Sequence, residues 1–123
     1  MSFHYVNDRL HCEGVDLKDI ADLFGTPAYI YSESILKRNA EIIKSCFIDH
    51  GFKVSYAIKA NPNPALLKLF KSYGLGLDIV SGGELQMAKH AGFSGAEINF
   101  AGVGKTDVEL ELALKTGIAH FNV

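Results

Sequence analysis

The chain contains two cysteines, three prolines and no apolar run long enough to cross a bilayer. Cys12 and Cys46 stand alone, without the C-x-x-C spacing of a zinc or redox site, and no charged-then-apolar leader is present. A cytoplasmic protein without a membrane partner is expected. Charge of one sign is also missing: 12 basic and 14 acidic residues leave a net charge of −2, with no basic cluster to track a phosphate backbone. Nucleic acid is therefore excluded as a partner. His4, His11, His50, His90 and His120 are scattered, with no helical or hairpin ligand pair and no carboxylate cluster beside them, so no metal is expected. No low-complexity linker interrupts the 123 residues, which at 48% hydrophobic suffice for one globular core and not for two.

What is present is a repeat. Short apolar segments begin near Lys53, Leu75, Glu97 and Ile118, at spacings of 22, 22 and 21 residues. The first three are each followed by a helical pattern. One helix has Asn63 as N-cap, Pro64 at its first position and Gly74 as its stop. The second starts at Ser81-Gly82-Gly83-Glu84, a capping-box spacing, and stops at Gly92; the third pairs Thr106 with Glu109 and stops at Gly117. Strands joined by such helices lie parallel with right-handed crossovers. Val54, Tyr56, Ile58, Leu75, Leu77, Ile79, Ile98 and Phe100 alternate onto one apolar face. The other face carries Ser55, Ala57 and Lys59, then Gly76 and Asp78, Asn99 and Ala101, and His120 and Asn122. A doubly wound sheet is covered on both faces, whereas a barrel interior turns polar toward its C-terminal mouth. The expected fold is α/β: a partial TIM (βα) barrel of about four strands.

Before the repeat, Asp16 to Phe24 reads as a short helix stopped by Gly25, and Thr26 to Tyr31 as a strand. Ser32 then caps a helix whose Ile35, Leu36, Ile42, Ile43, Cys46 and Phe47 form one apolar stripe. Cys46 on that stripe is expected to pack in the core. Residues 1–31 are thus a helix-strand extension, its strand outside the 22-residue rhythm, and residues 32–123 the βα region.

Lys59 is the candidate for chemistry. It ends the run Tyr56-Ala57-Ile58-Lys59, just before Asn61-Pro62. An ammonium there is costly unless it is paired, neutralised or covalently used, and Schiff-base lysines occupy such settings. A lysine that merely snorkels off a strand end is the plain alternative. Asp78, among Leu77, Ile79 and Val80, lies on the neighbouring strand and the same face, where a structural Lys59–Asp78 ion pair is the plain alternative to catalysis. Glu84 is accounted for as a helix cap. Gly82 and Gly83 suit either a tight turn or a ligand close to the backbone.

The run Tyr56-Ala57-Ile58-Lys59-Ala60-Asn61-Pro62-Asn63, followed by Gly76-Leu77-Asp78-Ile79-Val80-Ser81-Gly82-Gly83-Glu84-Leu85, closely resembles the N-terminal part of the diaminopimelate decarboxylases. These belong to the alanine-racemase-like, fold-type III class of pyridoxal-phosphate enzymes. The likeness extends to Gly25-Thr26-Pro27 and to the region from Asn99 to Lys105. Ornithine and arginine decarboxylases look similar but usually carry Cys where this chain has Ala60, and lack the Ser-Gly-Gly-Glu-Leu form. The resemblance implies a lyase of lysine biosynthesis that converts meso-diaminopimelate to L-lysine and CO2. It implies that Lys59 binds pyridoxal 5'-phosphate covalently, and that Ala57, Asp78 and Glu84 contribute to the cofactor pocket. It also implies an eight-fold barrel, a following β domain that takes the strand near Ala28, and a homodimer. Another enzyme of the class, a decarboxylase or racemase, and a non-catalytic βα module with a structural Lys59–Asp78 pair remain the alternatives.

The family's phosphate loop, ring-stacking histidine, substrate-binding arginine and partner-subunit cysteine would all follow Val123. The chain is accordingly expected to be an N-terminal portion. The isolated 123 residues should have no significant decarboxylase activity; lysine production from pure polypeptide and diaminopimelate would contradict this.

Overall fold

The computed structural model describes residues 2–123 and contains two compact units, one ending at Asn39 and the other running Ala40–Val123. The first holds an antiparallel meander that the sequence reading did not anticipate. Its strands are β1 (Phe3–Val6), β2 (Arg9–Cys12) and β3 (Val15–Asp16), in the order β1-β2-β3. Asn7 and Asp8 turn between β1 and β2 with φ of 48° and 62°, the left-handed geometry of a two-residue hairpin. This hairpin sets His4 opposite His11, their ring centroids 5.9 Å apart. The histidines are therefore not all scattered; their pairing follows from the unforeseen turn.

Helix α1 (Leu17–Phe24) is capped by Asp16, whose carboxylate accepts from Lys18 N at 2.7 Å. Residues 26–31, expected as a strand, are irregular. A strand exists through its ladder, and none of the described segments pairs with this one; Tyr29 and Tyr31 are exposed. Helix α2 (Glu33–Cys46) begins where Ser32 Oγ accepts from Ile35 N at 3.2 Å. Glu13 adds to that start, accepting from Ser32 Oγ and Ser34 N at 2.7 and 2.8 Å. Those bonds lower its carboxyl pKa to about 2. Only Ala40 of α2 is buried. Ile42, Cys46 and Phe47 are exposed, so the stripe that should have placed Cys46 in a core is uncovered at that end.

The second unit is built on a parallel sheet in the order β4-β5-β6-β7, comprising Ser55–Ala57, Gly76–Ile79, Ile98–Phe100 and His120–Phe121. Helices α3 (Pro64–Ser72), α4 (Gly82–His90) and α5 (Asp107–Thr116) connect the strands. Their caps are those expected: the Asn63, Ser81 and Thr106 side chains accept from Ala65 N, Glu84 N and Glu109 N. Gly74, Gly92 and Gly117 all have positive φ just past the helices, a conformation open to glycine at little cost. Leu77, Ile79, Ile98 and Phe100 are fully buried beneath Leu67, Leu85, Ala88 and Ala113. Each large apolar side chain so buried contributes about 1.5–3 kcal/mol.

A carboxylate braces the end at which the strands begin. Glu97, just before β6, accepts from Lys71 Nζ at 2.7 Å through both oxygens. It also accepts from Ser94 N and Ser94 Oγ at 2.8 and 2.7 Å. Partial burial pushes its pKa up, but the bonds from Lys71 and Ser94 outweigh it and bring the value to about 2. A carboxyl depressed in the folded state stabilises fully above its ordinary pKa and loses that contribution as pH falls toward the folded value. Glu97→Gln should therefore cost stability near neutrality and progressively less between about pH 4.5 and pH 2. Urea midpoints across this range would measure the convergence; a constant difference between variant and parent would refute it.

Candidate active site

Strand β4 stops at Ala57, and Lys59 lies not on the strand but in the single 3-10 turn Ile58–Ala60 that follows. Ile58 is fully buried and anchors this turn, while Lys59 is exposed. Asn61, extended with φ −163° and ψ 109°, has the backbone that a following proline favours. Its side chain accepts from Asn63 N at 3.0 Å, and Asn63 in turn caps α3. The lysine thus projects from a turn braced on both sides, at the C-terminal ends of the strands. That end is where parallel βα folds assemble their sites.

Ala57 and Asp78 are register partners on β4 and β5. The expected Lys59–Asp78 ion pair is absent: among the described residues no ion pair or hydrogen bond joins the two. The chain leaves the strand before Lys59, so the pleat no longer dictates where its amine points. A hydrated ammonium gains little from a surface pair. The half-buried Asp78 carboxylate also lacks a side-chain partner.

Glu84 sits in the first turn of α4, its Oε2 accepting from Val80 N at 2.7 Å. A capping box would take the N–H of Ser81; here the carboxylate reaches one residue further back. This binds the end of β5 to its helix. Glu109 supplies a second brace, which the sequence reading recognised only as half of a box with Thr106. Its Oε2 accepts from Thr106 N and Thr106 Oγ1 at 3.0 and 2.9 Å, and its Oε1 accepts from Gly82 N at 2.7 Å. The Gly82 N–H, followed by the Thr106 groups, holds the Glu109 carboxyl below the ordinary range. A bond spanning 27 residues leaves no local sequence signal.

The polar face is a connected row. Asn99 donates through Nδ2 to Ser55 Oγ at 2.9 Å, and its Oδ1 lies 3.1 Å from His120 Nδ1. An amide oxygen only accepts, so in this arrangement His120 carries its proton on Nδ1. Gly76 lies between Ser55 and Asn99 without a side chain to intervene; a Cβ there would stand 2.6 Å from the Glu97 carbonyl and 3.1 Å from Ser55 Oγ. At the rim, Lys105 Nζ donates to the carbonyls of Gly102 and Asn122 at 2.6 and 2.5 Å. A cavity of about 300 Å³ reaches Lys53, Ser55, Gly76, Asn99 and His120, on the side where the strands begin. It is separate from the rim that carries Lys59.

A lysine amine without an ionic partner, beside a carboxylate on a strand-end rim, suits covalent attachment of a carbonyl cofactor. The family profile described as pyridoxal-dependent decarboxylase, pyridoxal binding domain, matches residues 33–123. The chain belongs to this family. It is 48% identical over 119 residues to a diaminopimelate decarboxylase of Aquifex aeolicus, covering 97% of the chain and 28% of that protein. A diaminopimelate decarboxylase of Neisseria meningitidis is 45% identical over 114 residues, covering 93% and 28%. The crystal structure of the M. jannaschii diaminopimelate decarboxylase in complex with L-lysine superposes with a TM-score of 0.91 at 35% identity, covering 99% of this chain and 30% of that one. The chain therefore spans less than a third of the length of these relatives. Its mixed α/β architecture and parallel sheet are theirs.

The missing ion pair has a direct consequence. Lys59→Met should change stability by no more than about 0.5 kcal/mol, read from the urea midpoint. A loss above about 1 kcal/mol would restore a structural role for the lysine.

Proposed function

We propose that this chain is the N-terminal part of a diaminopimelate decarboxylase, which removes CO2 from meso-diaminopimelate to yield L-lysine. The observation that carries this reading is Lys59: exposed, without an ionic partner, on an anchored turn at the C-terminal rim of a parallel sheet and next to the strand of Asp78. The Aquifex and Neisseria relatives, at 48% and 45% identity, support the choice of substrate.

The residues fit pyridoxal 5'-phosphate. Lys59 Nζ is the point of attachment, while Ala57, Asp78 and Glu84 contribute to the pocket. The cofactor, when bound, supplies an electron sink for the charge left by the departing CO2. Asp78 keeps a negative charge on the strand beside β4, within the pocket that Lys59 enters. Glu84 holds the β5-to-α4 bend in place through Val80 N. The small side chain of Ala57 leaves room above β4. Once substrate takes its place, the Lys59 amine becomes free to carry a proton and assist product release.

In this reading the four parallel strands form the first half of a (βα) barrel. Residues 26–31 acquire a ladder partner in a β domain of the longer protein, which gives the exposed Tyr29 and Tyr31 a surface to pack on. The longer protein is a cytoplasmic homodimer. No described helix is long and apolar enough to cross a membrane, which is compatible with this placement.

Borohydride reduction of the full-length protein with pyridoxal phosphate, followed by peptide mass spectrometry, tests the attachment. A stoichiometric pyridoxyl group on Lys59 alone is expected. Labelling scattered over surface lysines, or none, would overturn the reading. Lysine formation from meso-diaminopimelate but not from ornithine or arginine as substrates would fix the branch of the family.

A further inference from the structure

We propose that Glu109 is a positioning residue for the cofactor pocket: from the neighbouring βα unit it clamps the backbone bend that carries Asp78 and Glu84. This rests on the pyridoxal-phosphate reading above.

The bend from Val80 to Gly83 follows Asp78 at once and leads into the helix bearing Glu84. The first N–H groups of a helix have no partner within it. In α4 three such needs near the bend are met by three different acceptors. Ser81 Oγ takes Glu84 N at 3.2 Å, Glu84 Oε2 takes Val80 N at 2.7 Å, and Glu109 Oε1 takes Gly82 N at 2.7 Å. The first two bonds are local and would travel with the bend if it moved. The third comes from α5 and ties the bend to a different element.

Glu109 is itself held. Its other oxygen is bonded to Thr106 N and Thr106 Oγ1, so the carboxylate is a rigid two-ended link rather than a loose side chain. Gly82 is shaped for it: a Cβ would lie 3.0 Å from Glu109 Cγ and 3.3 Å from Oε1. A second approach comes from the loop after β6, where a Cβ on Gly102 would lie 3.1 Å from the Val80 carbonyl. The two glycines thus let neighbouring segments close on the same bend. The carboxylate stays ionised through the neutral range, because the bonds from Gly82 and Thr106 hold its pKa down. It makes the stronger, charge-assisted kind of hydrogen bond.

Glu109→Gln keeps the volume but leaves one accepting oxygen for two sets of donors, so either the bend or the α5 cap is released. In the full-length protein the dissociation constant for pyridoxal phosphate should rise at least about tenfold, the effect of losing one charge-assisted bond. Amide hydrogen exchange in a peptide spanning residues 79–85 should accelerate by a similar factor. Glu97→Gln is the control: it removes another depressed carboxylate at the opposite ends of the strands, and should leave both quantities within about twofold of the parent. If Glu109→Gln fails to fold, Gly82→Ala tests the contact from its other side and should produce the same two changes. The proposal is overturned if the Glu109 variant moves neither quantity, or if Glu97→Gln moves both as much. Failure of the unsubstituted protein to take up pyridoxal phosphate would overturn the functional reading itself, and would be seen before any variant is made.

Discussion

The parallel ladder that stands Ala57, Asp78, Asn99 and His120 abreast is the constraint on which the second unit depends. Side chains alternate between faces along a strand, so a slip of one residue would carry Leu77, Ile79, Ile98 and Phe100 out of the core and force Asp78 and Asn99 into it. Four fully buried apolar side chains would be set against two polar groups stripped of water. The register is therefore chosen by the helix-facing side, and the polar row opposite is placed by it. The chemistry inherits its geometry from a packing decision made on the other face of the sheet.

Carboxylates organise the two ends of that sheet in different ways. Glu97, where the strands begin, combines an ammonium with a helical turn and so joins α3 to the entry of β6. Glu84 and Glu109, where the strands end, bind backbone N–H groups and no cation. Amides are fixed partial charges that do not swing, whereas a lysine can leave its partner at little cost. Lys59 is correspondingly the mobile cation at that rim. The acids that would have been its obvious partners are either turned to the backbone, as Glu84 is, or left without a bond, as Asp78 is.

The βα repeat was legible because each helix announces both its ends. Asn63-Pro64, Ser81 and Thr106 are acceptors for orphan amides, and Gly74, Gly92 and Gly117 are stops, all encoded within a few residues. The meander of the first unit escaped notice although Asn7-Asp8 and Glu13-Gly14 are residue pairs that tolerate left-handed turns; strands of four and two residues carry too little alternation to register. Residues 26–31 failed in the opposite sense, since local β preference says nothing about whether a partner strand is present. At the site, Lys59, Asp78 and Glu84 were found through residue type and position. What escaped was connection: the Glu109–Gly82 bond spans 27 residues and the Asn99–Ser55 bond 44, and the Lys59–Asp78 pair inferred from proximity along neighbouring strands did not form. Register sets where a Cα stands, not where four methylenes lead.

Gly76 has an effect beyond its own strand. By offering no side chain it allows Asn99 of β6 to grip Ser55 of β4 above it, although those strands never share a ladder. Motion along a sheet ordinarily passes from each strand to its nearest neighbour. Here a displacement of β4 reaches β6 and, through the amide oxygen, His120 on β7 without first distorting β5. The strand that bears Asp78 is bridged rather than pulled, and the acid keeps its place while its neighbours on either side shift in concert.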